Sequence, residues 1–180
     1  MRTDIPVFPI AGRGVRIASW LAVACFGLAA ASAFAADIPV LKSGLWELSR
    51  STSQQPETKR LTTMCLDESV QAEMREFGLG MAKELCSKSD RRVEGKRLII
   101  DAVCKLGATT MTTHSVMTFS GDTAYHTEGS ATYDPPMMNM SESKSSIDGK
   151  WIGACQDGQQ PGDITLESGQ TINIKSIIRK

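Results

Sequence analysis

The chain has 180 residues and carries 20 Lys and Arg side chains against 20 Asp and Glu side chains, so its formal net charge is zero. No run of basic residues is larger than a pair such as Arg91-Arg92. This charge balance gives no electrostatic reason to expect nucleic acid as a partner.

The first 35 residues show the three parts of a secretory signal peptide. Arg2, Arg13 and Arg16 form a basic start, residues 17–28 are mostly apolar, and Ala33-Phe34-Ala35 places small residues three and one positions before a cut. We therefore expect cleavage near Ala35 and export to the periplasm, which is an oxidising compartment.

Two other interpretations of this segment fit less well. A membrane anchor needs about 20 apolar residues, but this segment is alanine-rich, closes on a cleavage pattern and is followed by no basic cluster. A lipoprotein would carry its lipid on Cys25, yet Ala22-Val23-Ala24 lacks the leucine usual before such sites. We expect no membrane span in residues 36–180.

Cleavage would leave one domain that is nearly neutral. It removes three of the 20 basic residues, one of the 20 acidic residues and one of the five cysteines. Residues 36–158 are long enough for a single core, and we assign them to one β-rich domain. Residues 159–180 are expected to form a C-terminal tail, with one extra edge strand possible at Thr171–Lys175.

The four remaining cysteines predict two disulfides in an exported domain. They are Cys65, Cys86, Cys104 and Cys155, with 20, 17 and 50 residues between neighbours. These spacings lack the close pair typical of a zinc site or a redox-active dithiol. Of the three possible pairings we favour Cys65–Cys86, which brackets one helical segment, and Cys104–Cys155, which joins an early strand to a late one.

The first part of the domain predicts a strand, a loop and a helix. Residues 43–49 alternate like a strand, and residues 51–57 form a polar loop. A helix is expected from an N-cap at Asp67 to Leu85. Its apolar stripe, predicted to pack on the sheet, consists of Val70, Met74, Phe77, Met81 and Leu85. Gly78 and Gly80 allow a kink or two short helices.

From Lys88 onward the pattern is that of an antiparallel meander. Strands are expected at 96–104, 109–119, 123–133, 138–147 and 150–155, with hairpin turns at Gly121-Asp122 and Asp148-Gly149. Pro135-Pro136 should end the third of these strands. The predicted fold is mainly β (α+β): an antiparallel meander or a small, partly closed barrel with one amphipathic helix packed on it and two disulfides.

Several short motifs together resemble a bacterial exported family, domain of unknown function 3617. They are Gly44-Leu45-Trp46-Glu47, Met64-Cys65, the interior Cys86 and Cys104, and residues 149–155 with the sequence GKWIGAC. The likeness spans Leu41 to Gln156, although Ala154 replaces an expected proline. The resemblance implies a small, periplasmic, cysteine-bearing domain and no known activity.

The two histidines, His114 and His126, flank the predicted Gly121-Asp122 hairpin. A two-residue turn pairs Ser120 with Thr123, which places the histidines on opposite faces of the sheet. A change of one residue in register would reverse this. We expect solvated or structural histidines rather than a shared metal or proton relay.

The other candidates for chemistry are Met138, Met140 and His126 as ligands of Cu(I), which thioether sulfur suits. The alternative is that Met138 and Met140 simply alternate with polar residues on one sheet face, which we favour. We predict no cofactor and no resident metal.

A hydrolase could use Asp101, Glu128 or Asp134 as acid or base. However, residues 36–180 contain no Gly-x-Ser-x-Gly motif, no phosphate-binding loop and no dinucleotide fingerprint. The sequence therefore assigns no catalytic residue, and we expect the protein not to be an enzyme.

Two adjacent predicted strands are rich in threonine, which favours a wet cavity or a solvent-facing groove. The threonines are Thr109, Thr110, Thr112, Thr113, Thr118, Thr123, Thr127 and Thr132. Small barrels can hold one small ligand. The sequence thus favours a periplasmic module that binds an unknown small or lipid-like molecule. The alternative is a module that contacts another envelope protein through an exposed sheet edge or face.

Overall fold

The computed structural model describes residues 38–178, apart from the side chains of residues 56–59. The predicted signal peptide, residues 1–35, lies outside the described residues. Within residues 38–178, no helix combines the length and the hydropathy needed to cross a membrane.

Nine strands and two helices make up the described chain. In order they are β1 (Gly44–Thr52), β2 (Gln55–Leu66), α1 (Glu68–Leu85), β3 (Cys86–Glu94), β4 (Arg97–Leu106), β5 (Thr109–Phe119), β6 (Ala124–Met137), β7 (Met140–Gly153), β8 (Asp163–Thr165), β9 (Thr171–Asn173) and α2 (Lys175–Ile178).

The strands form one antiparallel sheet in the order β3-β4-β5-β6-β7-β1-β2-β8-β9. The sheet is open, with β3 and β9 at its edges, and α1 contacts β3, β4 and α2. The prediction of a mainly β fold with one amphipathic helix and two disulfides is confirmed. The residues assigned to a tail contribute β8 and β9 to the same sheet.

Helix α1 begins where the sequence predicts. The Asp67 carboxylate accepts a hydrogen bond of 2.8 Å from the Val70 backbone N–H, which lowers the pKa of Asp67. The helix continues unbroken past Gly78 and Gly80, so the alternative of two short helices is wrong. Only Val70 of the apolar stripe is buried; the later members Met74 and Phe77 are each 39% exposed. Full burial of the stripe is therefore confined to the first turn of the helix.

The favoured disulfide pairing is wrong. The disulfides join Cys86 to Cys104 and Cys65 to Cys155. Since α1 has 18 residues, its ends lie about 27 Å apart at 1.5 Å per residue, beyond the roughly 7 Å that a disulfide can bridge. Cys86 instead faces Cys104 across β3 and β4. The other disulfide joins Cys65 on β2 to Cys155, which follows the end of β7. Because β1 lies between β2 and β7 in the sheet, this disulfide spans the start of β1.

The first strands are longer than predicted. The expected polar loop at 51–57 is a tight turn at Ser53-Gln54, because Thr52 and Gln55 already pair with each other. β2, which the sequence analysis did not predict, then runs antiparallel to β1 for 12 residues. The polar residues of this region are thus strand residues on a partly solvated sheet.

The expected hairpin at Asp148-Gly149 is absent, and β7 runs straight through both residues. Gly149 serves packing instead: a Cβ at this position would overlap the ring of Tyr125 on the neighbouring strand. Likewise, Pro135-Pro136 does not end β6. The pair lies where β6 loses its pairing with β7, between Thr132 and Met137.

The main core cluster lies on one face of the sheet. Trp46, Met64, Leu66 and Val70 are buried together, and Leu41, Leu48, Tyr125, Trp151, Ile164 and Ile174 pack around them. We call this side of the sheet the apolar face and the other side the polar face. Trp46 and Tyr125 stack with ring centroids 5.8 Å apart, and Tyr125 covers Gly149.

Candidate functional site

A cavity of about 260 Å³ lies between α1, the segment 38–41 and the apolar face. Its lining is aliphatic and aromatic, with Leu48, Leu98, Met117 and Phe119 from the sheet and Met74 from α1. An engineered apolar cavity of about 150 Å³ can already hold benzene. The space is therefore large enough for a ring or a short alkyl chain.

The segment 38–41 is held over the cavity by one side-chain amide. The Leu41 N–H donates to Oε1 of Gln71, and Nε2 of Gln71 donates to the Leu41 carbonyl, both at 2.8 Å. Next to it, the Lys42 N–H donates to the Asp122 carbonyl at 2.8 Å. Gln71 on α1 thus ties the helix and this segment together, and Ile38, Pro39 and Leu41 all line the cavity.

Three polar groups also line the cavity. Burial raises the pKa of Tyr125, and within residues 38–178 its hydroxyl has no hydrogen-bond partner. Arg75 of α1 and Arg91 of β3 are exposed members of the lining. The cavity therefore combines an apolar interior with a few polar groups, which is the usual composition of small-molecule sites.

The larger hollow is an open groove of about 570 Å³ on the polar face. Its hydroxyls come mainly from serines, including Ser51, Ser53, Ser130 and Ser146, and none of the eight threonines singled out above lines it. The groove is wide, and apart from Val116 and Gly129 the residues that line it are polar. We favour the smaller cavity as the binding site, because apolar surface gains more from being covered than solvated hydroxyls do.

The histidine register is one residue away from the prediction. Ser120 pairs with Ala124 rather than with Thr123, since the Ser120 N–H donates to the Ala124 carbonyl, and the turn has three residues. The Thr123 carbonyl accepts from the Trp151 N–H at 2.8 Å, which fixes this longer turn against β7. His114 and His126 consequently share the polar face, and the expectation of opposite faces is wrong.

The two histidines nonetheless remain apart. His114 on β5 lies opposite Ser130 on β6, and His126 lies four residues before Ser130 on that strand. The two histidines are therefore about 14 Å apart at 3.4 Å per residue. Each has its own carboxylate: His114 Nδ1 is 2.6 Å from Asp101, and His126 Nδ1 is 2.7 Å from Asp148. The hydrogen bond to Asp148 raises the pKa of His126.

The three carboxylates considered for acid–base chemistry, Asp101, Glu128 and Asp134, are not brought together by the fold. The hydrogen bond from His114 and a second one from Arg92, at 2.6 Å, lower the pKa of Asp101. Ser130 lies across from His114, but within residues 38–178 no hydrogen bond links the two. Glu128 lies 3.7 Å from His126 instead, and Asp134 pairs with Thr110 farther along the sheet.

The candidate copper ligands are not brought together. Met138 is 86% exposed in the turn before β7, and Met140 begins that strand. His126 lies opposite Asp148 of β7. Asp148 is eight residues beyond Met140, which corresponds to about 27 Å at 3.4 Å per residue. The methionines and His126 therefore cannot bind one ion in this fold.

The sequence model of a family described as protein of unknown function (DUF3617) matches residues 41–155. The chain belongs to this family. Neither the curated proteins nor the solved structures include a match.

Three of the motifs that resemble DUF3617 meet at the structural core: Gly44-Leu45-Trp46-Glu47, Met64-Cys65 and residues 149–155. Gly44 has φ +138°, and a Cβ there would collide with Trp151 and the Gly153 carbonyl. Trp46 stacks on Tyr125, which in turn covers Gly149. The motif residues thus fix the junction of β1, β6 and β7, and Trp46 also forms part of the cavity wall.

Sequence reasoning missed the polar residues of the cavity. Gln71 and Arg75 belong to the predicted helix, where each directly follows a member of the apolar stripe, and this position at the edge of the stripe is the available signal. Arg91 and Tyr125 carry no comparable signal, since a charged or aromatic residue on a strand is ordinary.

Proposed function

We propose that this DUF3617 protein is an exported, periplasmic binding module for a small or lipid-like molecule. The observation that carries the proposal is the apolar cavity between α1 and the sheet, which has a volume of about 260 Å³. A cavity of this kind gains free energy when apolar surface leaves water, at about 25 cal/mol per Å². The two disulfides are compatible with an oxidising compartment.

The apolar stripe of α1 supports entry from the helix side. Met74 lines the cavity while 39% exposed, and Phe77 and Met81, one and two turns farther on, are 39% and 42% exposed. Without a bound molecule, these apolar side chains lie in contact with water. They form an apolar approach to the cavity along the helix.

A cavity-blocking variant tests the proposal. N-phenylnaphthylamine, a neutral dye that fluoresces in apolar surroundings, should bind the disulfide-intact protein and quench the buried Trp46. Met117→Trp fills the cavity and should abolish dye binding. Val116→Trp is the matched control, because Val116 is the next residue of the same strand and lines the polar groove.

Both variants should keep a cooperative unfolding transition, which shows that they remain folded. Dye binding that is equal in wild type and in Met117→Trp would place the dye elsewhere and refute the proposal. The same conclusion follows if the wild-type protein binds no dye.

The exposed stripe also favours a second candidate function, contact with another envelope protein. Under this alternative, a photocrosslinker at Phe77 should capture one reproducible partner in cells, and Met117→Trp should leave that crosslink intact. Under our proposal, occupancy of the cavity decides function, and Met117→Trp should reproduce the phenotype of a gene deletion.

A further inference from the structure

Two arginines without an acidic partner lie at the edge of the apolar cavity. Arg75 and Arg91 both line it, both are exposed, and within residues 38–178 neither forms an ion pair. None of the residues that line the cavity is an aspartate or a glutamate. The cavity edge therefore carries two positive charges without a compensating carboxylate in its wall.

The neighbouring arginine shows a different arrangement. Arg92 follows Arg91 in the sequence but points to the polar face, where it binds Asp101 at 2.6 Å and Glu94 at 3.2 Å. Alternation along β3 thus sends one guanidinium to a pair of carboxylates and the other to the apolar cavity. The difference between the two arginines points to an anion that is supplied from outside the chain.

We propose that the ligand is an anionic amphiphile with a single alkyl chain, which places its carboxylate between Arg75 and Arg91 and its chain in the cavity. This inference rests on the proposed function and adds the chemical class of the ligand. The planar guanidinium matches a carboxylate in two parallel hydrogen bonds. Both arginines are exposed, so they can bind the charged group at the rim without being buried themselves.

The cavity interior suits the rest of such a molecule. Leu98 and Met117 provide apolar walls, and the volume of about 260 Å³ fits a short chain. A longer chain would continue along the exposed Met74 and Phe77 of α1. A neutral hydrophobic ligand would fill the same space but would make no use of the two arginines.

Competition between two matched ligands tests the inference. Decanoate and decanol differ only in the head group, and each is titrated against bound N-phenylnaphthylamine at a pH far above the pKa of a carboxylic acid. Arg75→Gln and Arg91→Gln should each weaken decanoate about tenfold, the loss typical of a charge-assisted hydrogen bond. Decanol should change by less than about twofold, because it makes no ion pair.

Two further variants serve as controls. Arg75→Lys keeps the charge and should recover part of the decanoate affinity. Arg97→Gln removes an exposed arginine whose partner is Glu94 at 3.0 Å, away from the cavity, and should leave both ligands unchanged. Added salt should weaken decanoate more than decanol.

The outcomes separate this inference from the proposed function. If the dye is displaced from the cavity by both ligands but the glutamine variants leave decanoate unchanged, the anionic head group is refuted and the cavity site stands. An equal loss for both ligands would mean that the arginines act on the cavity's structure, which also overturns the inference. If the wild-type protein binds neither dye nor ligand, the proposed function itself fails.

Discussion

Gly149→Ala tests the packing that fixes one wall of the cavity. A Cβ at this position would meet three ring carbons of Tyr125, and even the farthest of them would lie 2.9 Å away. The ring must therefore move off Trp46, on which it stacks at 5.8 Å. Overpacking costs about 1–3 kcal/mol, and the lost aromatic contact costs about 0.5–1.5 kcal/mol.

We accordingly expect Gly149→Ala to lower the free energy of unfolding by about 2–4 kcal/mol. The measurement is urea unfolding followed by tryptophan fluorescence, in which this loss would shift the midpoint by about 1–2 M. Gly129→Ala is the matched control, since Gly129 lies in a neighbouring strand and its Cβ would come 3.3 Å from the flexible Ser145 side chain. That control should cost less than about 1 kcal/mol.

A double variant shows whether the ring is the cause. Tyr125→Ala removes the obstacle, so adding Gly149→Ala to it should cost much less than in the wild-type background. If Gly149→Ala is as stable as Gly129→Ala, or if its effect persists without the Tyr125 ring, the reasoning about β7 is wrong.

Further predictions concern the disulfides, the helix cap and one histidine. Loss of the Cys65–Cys155 disulfide by a double Cys→Ser change should lower the free energy of unfolding by about 1.4 kcal/mol more than loss of Cys86–Cys104 does. The reason is that its sequence separation is 90 residues rather than 18; urea unfolding measures both. Asp67→Ala should cost about 1 kcal/mol through the lost cap, measured in the same way. An NMR titration should place the pKa of His126 above 6.5, and Asp148→Asn should lower it. Since folding raises this pKa, the stability from the pair is complete below 6.5 and is lost as pH rises through the folded value.

The fold class was predictable because its signals are local. The strand pattern marks β5 at its observed bounds and β4 to within two residues, and Asp67 with the spaced apolar residues marks α1. Local signals failed where one residue type serves two purposes. The Asp-Gly pair at 148–149 is a strong hairpin signal, but a glycine in a strand can equally mark the close approach of a neighbouring side chain.

Long-range features were beyond the reach of the sequence. The disulfide pairing depended on α1 being one continuous helix, which the glycines at 78 and 80 obscured. Which face of the sheet each histidine lies on depended on one extra residue in the turn between β5 and β6, since the register of a hairpin follows from its loop length. Small local differences of this kind change which side chains meet.

The candidate site was predictable only in part. The expectation of a small-molecule site rested on threonines that do not line the cavity. Its walls consist of ordinary core residues such as Met117 and Phe119, and no pattern in one sequence shows that they leave a space between them. Arg91 gained meaning only when alternation along β3 placed it on the opposite face from Arg92.

Native mass spectrometry of the protein purified from the periplasm of its own host tests the central claim most directly. We predict a bound mass, released by organic solvent, that corresponds to an anionic compound with an alkyl chain. It should be absent from the Met117→Trp variant, in which the cavity is filled, and present in Val116→Trp. A wild-type protein that carries no ligand, or an equal bound mass in the Met117→Trp variant, would contradict the account.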